Sequence, residues 1–171
     1  MNTIDGVTHK KIDGEEARRE LAKLVQAFVC SAEGVPEPVV FASLGEVVAI
    51  WALGYPPAGR EQQLQQFIVA VRDALKVQTN TIVGMTKTTE IDDEYAAREM
   101  ERLRREFACN VEGVPEPVVA AALAEIVAMW ALGYPSHARE SHLQRFNDYA
   151  RAMLDRKHQR DVEERERATL Q

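Results

Sequence analysis

A stretch reading E-G-V-P-E-P-V-V-x-A-x-L-x-E-x-V-A-x-W-A-L-G-Y-P occurs twice, from Glu33 to Pro56 and from Glu112 to Pro135. The two copies are offset by 79 positions, and Phe28–Leu75 aligned with Phe107–Leu154 gives 28 identities in 48 positions without a gap. The similarity reaches the chain start, where Asn2-Thr3-Ile4 and Gly6 recur as Asn80-Thr81-Ile82 and Gly84. Self-similarity at a fixed period constrains architecture more than any single motif. The chain reads as a tandem duplication of a unit of nearly eighty residues.

Within each unit the periodicity is helical. Asp13 followed by Glu16 forms a capping box, and Leu21, Leu24, Val25 and Phe28 then recur on one helical face. This predicts a helix from Gly14 to Cys30. Its counterpart begins after Asp92 and carries Met100, Leu103 and Phe107. Pro36 and Pro38 suit the start of a second helix, with Glu37 complementing its positive end. Gly54 is expected as a left-handed terminator with Pro56 beyond it, and Gly133 and Pro135 likewise. A third helix is expected from Arg60 to Lys76, with Ser136 capping its equivalent.

The predicted fold is all-α: two three-helix units in one pseudo-two-fold six-helix bundle. Residues 1–78 form the first unit, an extended arm plus three helices, and 79–158 the second. Residues 159–171 form a charged tail, either a helical extension or disordered. Asp5-Gly6 is a hairpin-turn dipeptide that allows a little β-structure between the arms. Folded as one body, 171 residues bury about 70% of the unfolded surface, against about 60% for a half.

The second helix of each unit is apolar all round, which implies burial all round. Large side chains (Val40, Leu44, Val47, Val48, Trp51) lie opposite small ones (Ala42, Gly45, Ala49, Ala52), and the second copy repeats the division. The large face is expected to pack on the flanking helices of its own unit. The small stripes of the two copies, with Ala49 and Ala128 at their centres, are expected to meet each other.

Charge and composition exclude some functions. A net charge of −6 disfavours non-specific attraction to nucleic acid or anionic membranes. The longest apolar segments, Val39–Leu53 and Val118–Leu132, fall short of the roughly 20 residues that span a bilayer. The start of the chain, with Asp5 and His9, lacks a basic-then-apolar leader. Two cysteines, Cys30 and Cys109, are too few for a disulfide scaffold. Reduced thiols in a cytoplasm are therefore expected, each a small buried hydrophobe at a helix end.

Candidate sites are sparse. Glu46 and Glu125 are the only charges inside those apolar segments and are expected to be buried carboxylates. They would serve as acid/base groups or, more simply, pair with Arg60 or Arg139 or reach solvent. Tyr55 with Arg60, and Tyr134 with Arg139, recur at a helix corner that could line a ligand cleft. His9, His137, His142 and His158 have no metal-ligand spacing, and nothing calls for a cofactor. Trp130 to Arg145 reads as helix, turn and helix, with Ser136, His137, Arg139, His142 and Arg145 available to a groove, but net acidity weighs against DNA. Helix three keeps Ile68 and Val69 where its counterpart has Asn147 and Asp148. That widens its apolar surface and marks Gln65, Ile68 and Val69 as a partner surface.

The sequence thus points to a non-catalytic cytoplasmic interaction or assembly protein that binds a protein partner or itself. A small-ligand-binding regulator using the Tyr/Arg corners is the alternative, and a DNA-binding protein comes third.

Overall fold

The structure, a computed structural model, describes residues 13–82, 85 and 90–169. Six helices follow one another: α1 (Gly14–Ser31), α2 (Glu37–Leu53), α3 (Pro57–Val77), α4 (Asp93–Val111), α5 (Glu116–Leu132) and α6 (Ser136–Thr169). No strand occurs among the described residues. The expected turn at Asp5-Gly6, the first arm and His9 lie outside them.

Local chemistry accounts for the ends. The Asp13 side chain accepts from the Glu15 and Glu16 amides at 2.8 Å, and Asp92 accepts from the Tyr95 amide. Such caps satisfy amides left over in the first turn. Helices α2 and α5 have no side-chain cap; Pro36 and Pro115 precede them and Pro38 and Pro117 sit in the first turn. The left-handed glycines are Gly34 and Gly113, both at φ 75°, in the turns that enter these helices. Gly54 and Gly133 are instead right-handed, with φ of −63° and −64°. Their small size has another use: a Cβ on either would stand 3.1–3.2 Å from the carbonyl oxygen of Trp130 or Trp51. Arg60 helps finish α2 by donating from Nε to Tyr55 O at 2.9 Å and from a terminal nitrogen to Leu53 O.

The packing crosses between units. Helix α2 lies mainly against α6 and α4, and α5 mainly against α3 and α1. Contacts of α2 with α3, and of α5 with α6, are slighter, as is the contact of α2 with α5. The expectation that each apolar helix packs chiefly on its own unit is therefore corrected. On the small stripe of α2, Gly45 faces a large partner: a Cβ there would collide with the Tyr149 ring of α6. Seating a ring on a glycine brings two backbones close and fills the space completely, which small residues facing small residues do not.

One continuous core results, drawing Leu24 and Phe28 from α1, Leu103 and Phe107 from α4, and Leu64 and Leu143 from α3 and α6. Phe28 meets Phe107 edge-on at 6.3 Å. The link between α3 and α4 contributes Ile82, only 4% exposed. Residues 159–169 continue α6 as an exposed helix.

Candidate functional site

Trp51 and Tyr55 stand one helical turn apart at the end of α2, so their side chains share a face. Glu116, in the first turn of α5, receives both: Trp51 Nε1 donates to its Oε1 at 2.8 Å, and the Tyr55 hydroxyl donates to the same oxygen. The matching residues make the matching set. Trp130 Nε1 donates to Glu37 Oε1 at 2.7 Å, and the Tyr134 hydroxyl joins it. In both tyrosines, burial first and the carboxylate second push the phenol pKa up.

The surroundings of the two clusters differ. Around Trp130 rings take up most of the space, leaving a hollow of about 110 Å³ that Glu37, Ile82, Trp130 and Tyr134 help to line. Phe41 lies 5.4 Å from the Trp130 ring, 5.8 Å from Phe146 and 5.2 Å from Tyr149. His142 stacks on Tyr134 at 3.5 Å with an interplanar angle of 18°. Trp130 is 1% exposed. At the matching places around Trp51 stand Ala120 for Phe41, Ala70 for Tyr149 and Gln63 for His142. A cleft of about 340 Å³ opens there, between Trp51, Tyr55, Phe67, Ala70, Glu116 and Ala120. Trp51 also borders a second, apolar hollow of about 210 Å³ against Phe107 and Val111 of α4.

The other residues singled out by sequence are dispersed. Arg60 and Arg139 turn inward onto the Tyr55 and Tyr134 carbonyls, and Arg60 also meets His158 Nδ1 at 3.0 Å. They build the corners. Glu46 and Glu125 are half-buried rather than buried. Glu46 pairs with Lys157 at 3.7 Å, not with Arg60. The position matching Lys157 is Gln78, and among the described residues no base pairs with Glu125, whose pKa burial pushes up.

Ile68 is 6% exposed and belongs to the core, because α3 packs on α5 and also touches α6. Val69 is 54% exposed and Gln65 is exposed, so the expected apolar patch reduces to one valine. Cys30 and Cys109 are exposed free thiols, not buried ones. His142 and Arg139, two of the five residues offered to a DNA groove, are half-buried and engaged by Tyr134.

Among the described residues no group of three or more potential ligands gathers to hold a metal ion. No helix there is long and apolar enough to cross a membrane. Sequence reasoning gave Glu37 only a place at the helix dipole and did not single out Glu116. The signal was an acidic first turn repeated alongside a Trp-x-x-x-Tyr pair, but the partner lies in the other unit. No protein-family model, curated protein or solved structure matches this chain.

Proposed function

We propose that the chain is a non-catalytic ligand-binding protein, a duplicated and fused pair of three-helix units around a pseudo-two-fold axis, with one working cleft at the Tyr55 corner. The observation that carries this reading is the contrast between the two Trp–Tyr–Glu clusters. In one, Phe41, His142 and Tyr149 crowd the cluster and leave a hollow of about 110 Å³; the other faces an open space of about 340 Å³. Protein interiors are close-packed, and an unfilled hollow forfeits contacts its lining would otherwise make. A cleft of this size, apolar with a few convergent polar groups, has the ordinary build of a small-molecule site.

The polar groups suit recognition better than proton transfer. A general base works best with a pKa near the operating pH, and burial drives the Tyr55 phenol upward, away from it. The reciprocal hydrogen bonds support the two-fold reading. Besides the two clusters, Arg72 pairs with Glu140 and Arg151 with Glu61, joining α3 to α6 at matching positions. The interaction reading through α3 lacks its anchor, since Ile68 is core.

The test is a mixed set of aromatic and aliphatic fragments, cationic, anionic and neutral, screened by ligand-detected NMR. Wild type is compared with Ala70→Tyr/Ala120→Phe, which installs the residues of the filled cluster. Fragments that bind wild type and are lost on the filled variant, with helix content unchanged, are the expected result. A set with no such fragment overturns the cleft.

A further inference from the structure

The filled cluster is a template for what the open one would hold. Three side chains of this chain occupy the matching space, and all three are rings: Phe41, His142 and Tyr149. Phe41 is held between Trp130 and Phe146, whose counterparts Trp51 and Phe67 line the open cleft. Offset and edge-on aromatic contacts at such separations add stabilisation beyond the area buried. His142 is the third ring. It lies flat on Tyr134, and burial with Arg145 nearby holds its pKa below the ordinary value, so it marks the place of a ring rather than of a cation.

The polar requirement comes from the carboxylate of the open cleft itself. Glu116 accepts from Trp51 and Tyr55 through one oxygen, Oε1, and none of the residues lining the cleft is cationic. Its other oxygen receives no hydrogen bond from the described residues and its side chain is exposed. Two neutral donors bring no positive charge of their own to the carboxylate, so the polar end of the cleft favours a positive group. The protein's net charge of −6 works in the same direction.

We infer that the cleft takes a planar aromatic molecule bearing a protonated nitrogen. Its ring would rest against Trp51 and Phe67 where Phe41 rests in the filled cluster, and its N–H group would reach Glu116. The inference rests on the cleft being a binding site and specifies its chemistry. A charge-assisted N–H···carboxylate bond is roughly twice as strong as a neutral one, and a cation near aromatic faces gains further. An aromatic acid would set like charges together, and an aliphatic amine would forgo the ring contacts.

Tryptamine, indole-3-acetate and 2-cyclohexylethylamine separate these terms, sharing in turn the ring and the cation, the ring alone, and the cation alone. Isothermal titration at pH 7 should give tryptamine an affinity at least about tenfold above either of the others. Glu116→Gln, which keeps an acceptor for Trp51 and Tyr55, should lower tryptamine binding about tenfold and leave indole-3-acetate no weaker. Ala120→Phe should abolish tryptamine binding. Equal or tighter binding of the acid or the aliphatic amine overturns the chemistry, as does tryptamine binding unaffected by Glu116→Gln or Ala120→Phe. If fragments of another class bind wild type and are lost on the filled variant, the cleft stands and only its assigned ligand fails.

Discussion

Gly45 is the residue at which the difference between the two clusters begins. A Cβ there would stand 2.7 Å from Tyr149 Cε1 and closer still to Cδ1. The ring cannot yield easily, since Phe41 lies 5.2 Å from it on the same surface. Gly45→Ala should therefore destabilise by about 1–3 kcal/mol through overpacking. In a Tyr149→Ala background the same change should have almost no effect, or stabilise slightly through helix propensity. Urea denaturation of the four proteins in that cycle measures the coupling; additive losses would show that Gly45 and Tyr149 do not press on one another.

His142 gives the filled cluster a pH dependence. Burial, with Arg145 nearby, holds its pKa below the ordinary value, against an opposing pull from Glu37. The unfolded chain then binds more protons than the folded one as pH falls below about 6.5, so stability is complete above that value and declines beneath it. His142→Gln, the residue at the matching position 63, should lose less stability than wild type between pH 7.5 and 5.5. The raised pKa of Glu125 acts in the opposite sense but is common to both proteins. Parallel slopes of denaturation midpoint against pH would exclude the histidine.

Among the elements, legibility followed the range of the forces involved. Helix existence and most boundaries could be read from capping residues, prolines and periodicity, because those signals act within a turn or two. Helix three shows where that stops. Leu64, Phe67 and Val71 form a stripe visible in the sequence, yet Ile68 is buried beside them because α3 lies on α5 and also reaches α6. Nothing local distinguishes an apolar residue covered by a distant helix from one left open. The same holds for the site. The Tyr55 and Tyr134 corners stood out by repetition, whereas Glu116 is 61 positions from Tyr55 and Glu37 is 97 from Tyr134. The cysteines mislead for a related reason: being apolar and near helix ends, they looked like core, and the packing passed them by.

At the scale of the whole molecule, neither half owns its core. Each all-apolar helix takes its principal neighbours from the other half. Residues 1–78 alone would leave α2 without α4 and α6, exposing Val40, Leu44 and Val48, which are fully buried in the intact chain. Expressed separately, fragments 1–78 and 79–171 should each lack a cooperative melt as monomers. Mixed, they should form a 1:1 complex that regains one, as followed by circular dichroism and analytical ultracentrifugation. A fragment that melts cooperatively as a monomer would mean that the exchange of neighbours is dispensable.

That exchange also sets how the chain must search for its native state. Helical proteins usually fold quickly because residues adjacent in space are adjacent in sequence. Here Trp130 has to find Glu37 across 93 positions, and Arg60 has to find His158 across 98. Long loops must close before those meetings return any free energy, and that entropy is spent early. Although all its described elements are helices, the chain should cross its folding barrier at a pace closer to that of proteins with paired distant strands.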